Sequence, residues 1–130
     1  MRAELKAMAV LVAGSGLTVY AGEAPEDALP PYVVLVPQRN ADEQARLTGP
    51  MVSEVVQVAA RSVGVTWDQA SWVDERLDVV LRPGGRGVSL TVPGRVLGPV
   101  ERRGSVVGPD DAAGRVWAAV TLFRFWSRPA

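Results

Sequence analysis

Leu5, Met8, Ala9 and Val12 recur at helical spacing, so the chain opens on an amphipathic helix flanked by Arg2, Glu4 and Lys6. Gly14 and Gly16 stop it. Leu17 to Tyr20 reads as a short strand. Gly22 to Pro31 holds three prolines and three acids and reads as an extended loop. Tyr32 to Val36 is apolar at every position and strongly β-forming, which predicts a strand covered on both faces and ended by Pro37. Residues Gln38 to Pro50 form a long polar loop carrying Arg39, Asp42, Glu43 and Arg46; polar loops of that length are often functional.

From Val52 to Val63 the pattern alternates. Val52, Glu54, Val56, Val58 and Ala60 share one face, and Ser53, Val55, Gln57, Ala59 and Arg61 share the other. Gly64 closes this strand. Thr66 and Gln69 have capping-box spacing, and Asp68 sits in the first turn of the helix that follows. Its core stripe is Ala70, Val73, Leu77, Val80 and Leu81, with Asp74, Glu75, Arg76 and Asp78 on the polar side. Pro83-Gly84-Gly85 ends it. Val88, Leu90 and Val92 alternate with Ser89 and Thr91, which predicts another strand. Residues 93–114 are rich in glycine and proline and read as an extended arm or hairpin. Arg115 to Trp126 is the last strand: Trp117, Ala119, Thr121, Phe123 and Phe125 share one face, and Val116, Ala118, Val120, Leu122 and Trp126 the other, which only Arg124 interrupts. Such a strand must be buried on both sides, by its own helices or by a neighbouring subunit.

The expected order is therefore α-β-β-β-α-β-arm-β. It implies an α+β fold: a mostly antiparallel sheet, two helices packed on one face, and an extended arm or hairpin between the last two strands. With 130 residues, the chain is expected to form one domain over 1–130.

Composition narrows the chemistry. The 14 basic and 14 acidic residues cancel, so no global field draws in nucleic acid. Cysteine and histidine are both absent. No disulfide and no Cys/His zinc site can form, and no imidazole is present to activate a nucleophile. Neither an enzyme nor a cofactor is expected. The apolar run Ala7 to Ala13 is too short to span a bilayer. Glu4 in the would-be basic region and the Gly14-Ser15-Gly16 break argue against a signal peptide.

The candidate sites weigh as follows. Asp110-Asp111 reads as a solvated turn rather than a cation site. Gly14-x-Gly16 and Gly84-Gly85-x-Gly87 lack the helix start and lysine of a phosphate loop, and read as helix stops. Glu101-Arg102-Arg103 is too mixed in sign for a nucleic-acid patch; it fits a polar rim or an inter-subunit ion pair. Trp117, Phe123 and Phe125 suit a core. Trp72 lies about 200° around its helix from Ala70, and Trp126 sits near the chain end, so both are interface candidates.

A resemblance carries these features further. Pro30-Pro31-Tyr32-Val33-Val34-Leu35 follows a helix and a short strand. After it come an Arg/Asp-rich loop, Val55-Val56-Gln57-Val58 and Gly64-Val65-Thr66. Gln69-Ala70, Trp72 and Arg76 lie on the next helix. Pro93-Gly94-Arg95-Val96, Gly98-Pro99, Asp110-Asp111 and Phe123-Arg124-Phe125-Trp126 complete the series. In this order the segments resemble the tail-terminator proteins of siphophages infecting actinobacteria, from about Ala7 to Ser127. The glycine- and alanine-rich stretches 104–107 and 112–119 depart from the pattern.

The resemblance implies a structural virion protein. It would form a homo-oligomeric, hexameric ring at the head-proximal end of the tail, ending tube growth and offering a surface to the head-side connector. Its partners would be the major tail tube protein and the head-tail connector or stopper. DNA would pass through the ring without sequence-specific binding, and no membrane is involved. A ring needs two different surfaces per subunit meeting head to tail. The C-terminal strand is the candidate for one, and the 38–50 loop or the 93–114 arm for the other. The residues this assigns to interfaces are Arg39, Arg46, Trp72, Arg102, Arg103, Asp110, Asp111, Arg124 and Trp126. The nearest alternatives are a head-tail stopper or neck protein, then a stand-alone bacterial interaction domain.

Overall fold

The computed structural model describes residues 3–38, 54–109 and 116–130. The elements in order are α1 (Ala3–Ala13), β1 (Val19–Ala21), β2 (Tyr32–Gln38), β3 (Glu54–Gly64), α2 (Trp67–Leu81), β4 (Arg95–Leu97), β5 (Glu101–Pro109) and β6 (Trp117–Pro129). A single 3-10 turn, Pro83–Gly85, follows α2. The fold is α+β, with a curled, mostly antiparallel sheet and two helices on one face.

Local chemistry sets both helix boundaries. The Gly14 N–H donates to Val10 and the Ser15 hydroxyl to the Val12 carbonyl, so α1 closes within one turn. At the start of α2, the Gln69 N–H donates to Thr66 Oγ1 at 3.1 Å. The Gln69 side chain accepts from the Val65 N–H at 2.7 Å. The capping pair thus satisfies one donor inside the helix and one before it.

The sheet runs β1-β2-β3-β6-β4, with β5 also paired to β6. Among the described residues, only β1 and β2 pair in parallel; the other pairings are antiparallel. β3 and β6 form the longest ladder, from Glu54↔Ser127 to Gly64↔Trp117. β4 and β5 lie end to end along the opposite edge of β6. Leu97 faces Ser127 while Glu101 faces Arg124, so one residue bulges out between the two strands. A second shift falls between Arg102 and Ser105. Residues 94–109 are in effect one edge strand, twice kinked, and β5 makes with β6 the hairpin expected of the arm.

Two strand expectations change. Val88–Val92 is not a strand; its one ladder contact is an isolated bridge from Ser89 to Pro99. The free edge of β6 is taken by β4 and β5, so the alternating Val88, Leu90 and Val92 supply core side chains without a ladder. Nor does Pro37 end β2, which runs on to Gln38 and pairs Pro37 with Val58. β1 pairs only Val33–Leu35, so Pro37 lies past the last residue flanked by strands on both sides.

The inner face of the sheet carries the core. Val33 and Leu35 of β2, Val56, Val58 and Ala60 of β3, and Phe123 and Phe125 of β6 are all buried there. α1 contributes Leu5, Met8 and Val12, and α2 contributes Val73, Leu77 and Leu81. Burying each of the large apolar side chains stabilises the fold by about 2–3 kcal/mol. Val80, expected in the α2 stripe, is only half-buried, and its place is taken by Asp74, which is 7% exposed.

Candidate functional site

Two polar clusters, each built on a buried carboxylate and hydroxyl with half-buried partners, lie at the border of this apolar frame. In the first, α2 turns Asp74 toward the sheet. Its Oδ1 accepts from the Thr121 hydroxyl at 2.7 Å, and its Oδ2 accepts from Arg102 Nη2 at 3.0 Å. Arg102 reaches on to Asp78 Oδ1 at 3.4 Å, and Arg82 meets the same oxygen at 3.5 Å. Burial alone would lower the Arg102 pKa. The charges of Asp74 and Asp78, and the hydrogen bonds to both, outweigh it and leave that pKa raised. The guanidinium therefore stays charged at any accessible pH and works as a fixed clamp between α2, β5 and β6.

In the second cluster, Glu4 of α1 accepts from the Ser127 hydroxyl at 3.3 Å, and Ser127 accepts from Arg95 Nε at 3.0 Å. Arg95 also pairs with Glu54 at 3.5 Å. This ties the first turn of α1 to the ends of β3, β4 and β6. Both clusters satisfy their own charges within the chain, which is the signature of structural cross-links. Among the described residues, no group of carboxylates is placed to hold a metal ion.

The two faces of the sheet differ. The outer face, away from the helices, carries Val55, Ala59, Val120, Leu122, Arg124 and Trp126 by cross-strand register. Val120, Leu122 and Trp126 are each 38% exposed there, and Val106 of β5 is 74% exposed. A shallow trough of about 410 Å³ runs between Ala59, Val106, Val120 and Leu122, with Gln38, Arg103 and Ser105 at its rim. The expectation that β6 is covered on both faces thus meets a half-open apolar surface. A separate apolar groove of about 570 Å³ lies between the outer flank of α1 (Lys6, Val10, Leu11) and residues 88–93.

The sequence-derived interface residues separate into three groups. Arg39, Arg46, Asp110 and Asp111 lie outside the described residues. Arg102 and Arg124 are engaged within the chain, Arg102 as above and Arg124 with Glu101 at 3.0 Å. The pairs expected of Glu101-Arg102-Arg103 are thus made inside one molecule, while Arg103 is exposed at the trough. Trp72 stands out from α2 with 51% of its surface exposed, and Val79 is exposed one heptad on. Trp126 lies on the outer face, its ring 5.1 Å from the Arg128 guanidinium.

The indole of Trp126 is held in place by a glycine. A Cβ at Gly98 would fall 2.2 Å from Trp126 Nε1, so the ring keeps this position against the β4 edge only while residue 98 is glycine. The Gly98 N–H also donates to the Trp126 carbonyl at 2.9 Å. Sequence reading did not find this pairing, nor Asp74 and Thr121. For Asp74 a signal existed: it lies four residues after Ala70 and three before Leu77, within the buried stripe. Thr121 interrupts the apolar face Trp117, Ala119, Phe123, Phe125 in the same way. Leu29, 84% exposed in the acidic loop, had no sequence mark beyond its charged neighbours.

No protein-family model matches the chain, and no curated protein does. Among solved structures, a chain from the virion of a native gene transfer agent (GTA) particle matches with a TM-score of 0.68 at 19% identity. The match covers 96% of this chain and 89% of that chain. The shared property at this identity is the fold, which the two chains have in common over nearly their full lengths.

Proposed function

We propose that this chain is a non-enzymatic structural protein of a virus-like particle, and within it a tail terminator. Subunits would form a ring at the head-proximal end of the tail tube, stop tube growth and present a joining surface to the head-side connector. One observation carries the reading: the fold matches a virion chain of a gene transfer agent over 96% of this chain. The order of sequence segments supports the finer role. Three further features fit it. The buried ionisable groups are consumed in structural cross-links. One sheet face is apolar and half-open. Trp72 is displayed on α2, and Trp126 and Arg103 on the outer face of the sheet. Large exposed apolar patches on small proteins mark association surfaces.

The mechanism is binding. One side of the ring must complement the tube end, while the other must reject a further tube ring by shape and charge. Solution mass of the purified protein, alone and with tail tubes, tests this. A ring of about six subunits, or one assembled only at tube ends, is the expected result. A monomer that ignores tube ends but binds connector rings would replace the terminator with a head-tail stopper. A monomer that binds neither would leave a stand-alone interaction domain.

A further inference from the structure

We infer that the outer sheet face of one copy receives the Gly22–Pro31 loop of a second copy, with Leu29 seated in the trough beside Val120 and Leu122. This rests on the reading of the chain as a self-assembling ring protein and names the contact that would build it.

The two surfaces complement each other in charge. The loop carries Glu23, Glu26 and Asp27, all exposed, and no basic residue. Arg103, Arg124 and Arg128 are on the outer face against one carboxylate, Glu101, which pairs with Arg124, among the described residues. They also complement each other in apolar character. Leu29 is a large side chain left 84% exposed, and the trough is an apolar depression left half-open. Rim charges around a central apolar anchor are the usual anatomy of a protein interface.

The loop joins β1, the edge strand of the sheet, to β2, and the trough crosses the outer face from Gln38 of β2 and Ala59 of β3 to β5 and β6. Seated on a neighbour, the loop joins two different surfaces, as a closed ring requires.

Sizing the assembly by sedimentation tests this with charge-reversed variants. Glu26→Arg/Asp27→Arg alters only the loop, and Arg103→Glu/Arg128→Glu only the rim of the face. All four positions are at the surface, and unchanged circular dichroism verifies that each variant folds. Each double variant alone is expected to fall to a monomer. Mixed, the two are expected to assemble again, because each reversed surface then finds a reversed partner. Leu29→Ala is expected to weaken association about 30-fold, the size of one lost anchor. If the wild type assembles and the loop variant assembles equally well, this contact is wrong while the ring stands. If mixing restores nothing, the contact is likewise wrong. If the wild type stays monomeric even with tube ends, the ring reading falls, and this contact with it.

Discussion

The Thr121 hydroxyl donates to Asp74 Oδ1 across 2.7 Å, joining the middle of α2 to the middle of β6. The same carboxylate holds Arg102, which lies on the neighbouring strand β5. One buried side chain therefore fixes three elements. Asp74→Ala removes it and leaves the Thr121 hydroxyl and half of the Arg102 clamp without a partner. The expected cost is about 3 kcal/mol, at the low end for a broken buried pair because Arg102 keeps Asp78. Asp74→Asn keeps an acceptor for Thr121 and is expected to cost about half as much. Urea unfolding with an unchanged m value measures both. A cost below about 1 kcal/mol for Asp74→Ala would mean that the cluster contributes little.

Two glycines allow a graded test of backbone crowding. A Cβ at Gly87 would fall 1.8 Å from the Val100 carbonyl oxygen, which belongs to the backbone and cannot swing away. The Val100 N–H donates to the Val88 carbonyl at 2.9 Å, so the two segments are pinned together. A Cβ at Gly98 meets only the Trp126 indole, which is partly exposed and can rotate outward. Gly87→Ala is thus expected to cost about 3 kcal/mol or more, and Gly98→Ala about 1 kcal/mol. Gly98→Ala should also red-shift the tryptophan emission as Trp126 moves into water. Equal costs for the two substitutions would contradict this ordering.

The features that were legible in the sequence are those set by near neighbours. The Thr66/Gln69 cap, the Gly14 stop and the alternation of β3 depend on residues a few positions apart, and they appear as expected. What failed depended on distant partners. Val88–Val92 alternates like a strand, but the free edge of β6 was already claimed by β4 and β5. Pro37 reads as a stop, yet the neighbouring strand β1 ends before it. Asp74 reads as a solvated helix acid because its partners, Arg102 and Thr121, lie 28 and 47 residues away. The same reason hides the seat of Trp126 against Gly98. Among the interface candidates, the exposure of Trp72 followed directly from its angle on α2, whereas the pairings of Arg102 and Arg124 did not follow from local order.

Ser62 offers a stabilising substitution. It is buried in β3, and among the described residues its hydroxyl has no hydrogen-bond partner. A buried hydroxyl without a partner carries its desolvation cost uncompensated. Ser62→Ala removes the oxygen and keeps the β-carbon that faces Ala119 across the ladder. The expected gain is about 1 kcal/mol, seen as a higher urea midpoint. A loss of similar size would reveal a partner for this oxygen in the folded protein.

Neighbouring residues of β6 separate folding from assembly. Phe123 is fully buried in the core on the inner face, while Leu122 points to the outer face and is 38% exposed. Phe123→Ala empties the centre of the core and is expected to cost about 3–5 kcal/mol. Leu122→Ser removes apolar surface that the isolated subunit leaves half in water, so its folding cost is expected to stay near 0.5–1 kcal/mol, roughly the scale of a surface change. Its effect should appear in association instead, because the trough loses one wall. Measuring both variants by denaturation and by sedimentation gives opposite signatures. Phe123→Ala shifts the unfolding midpoint at every protein concentration. Leu122→Ser shifts it mainly where the wild type is assembled, since assembly stabilises the fold by mass action. If Leu122→Ser left both stability and association untouched, the outer face would have no role in joining subunits.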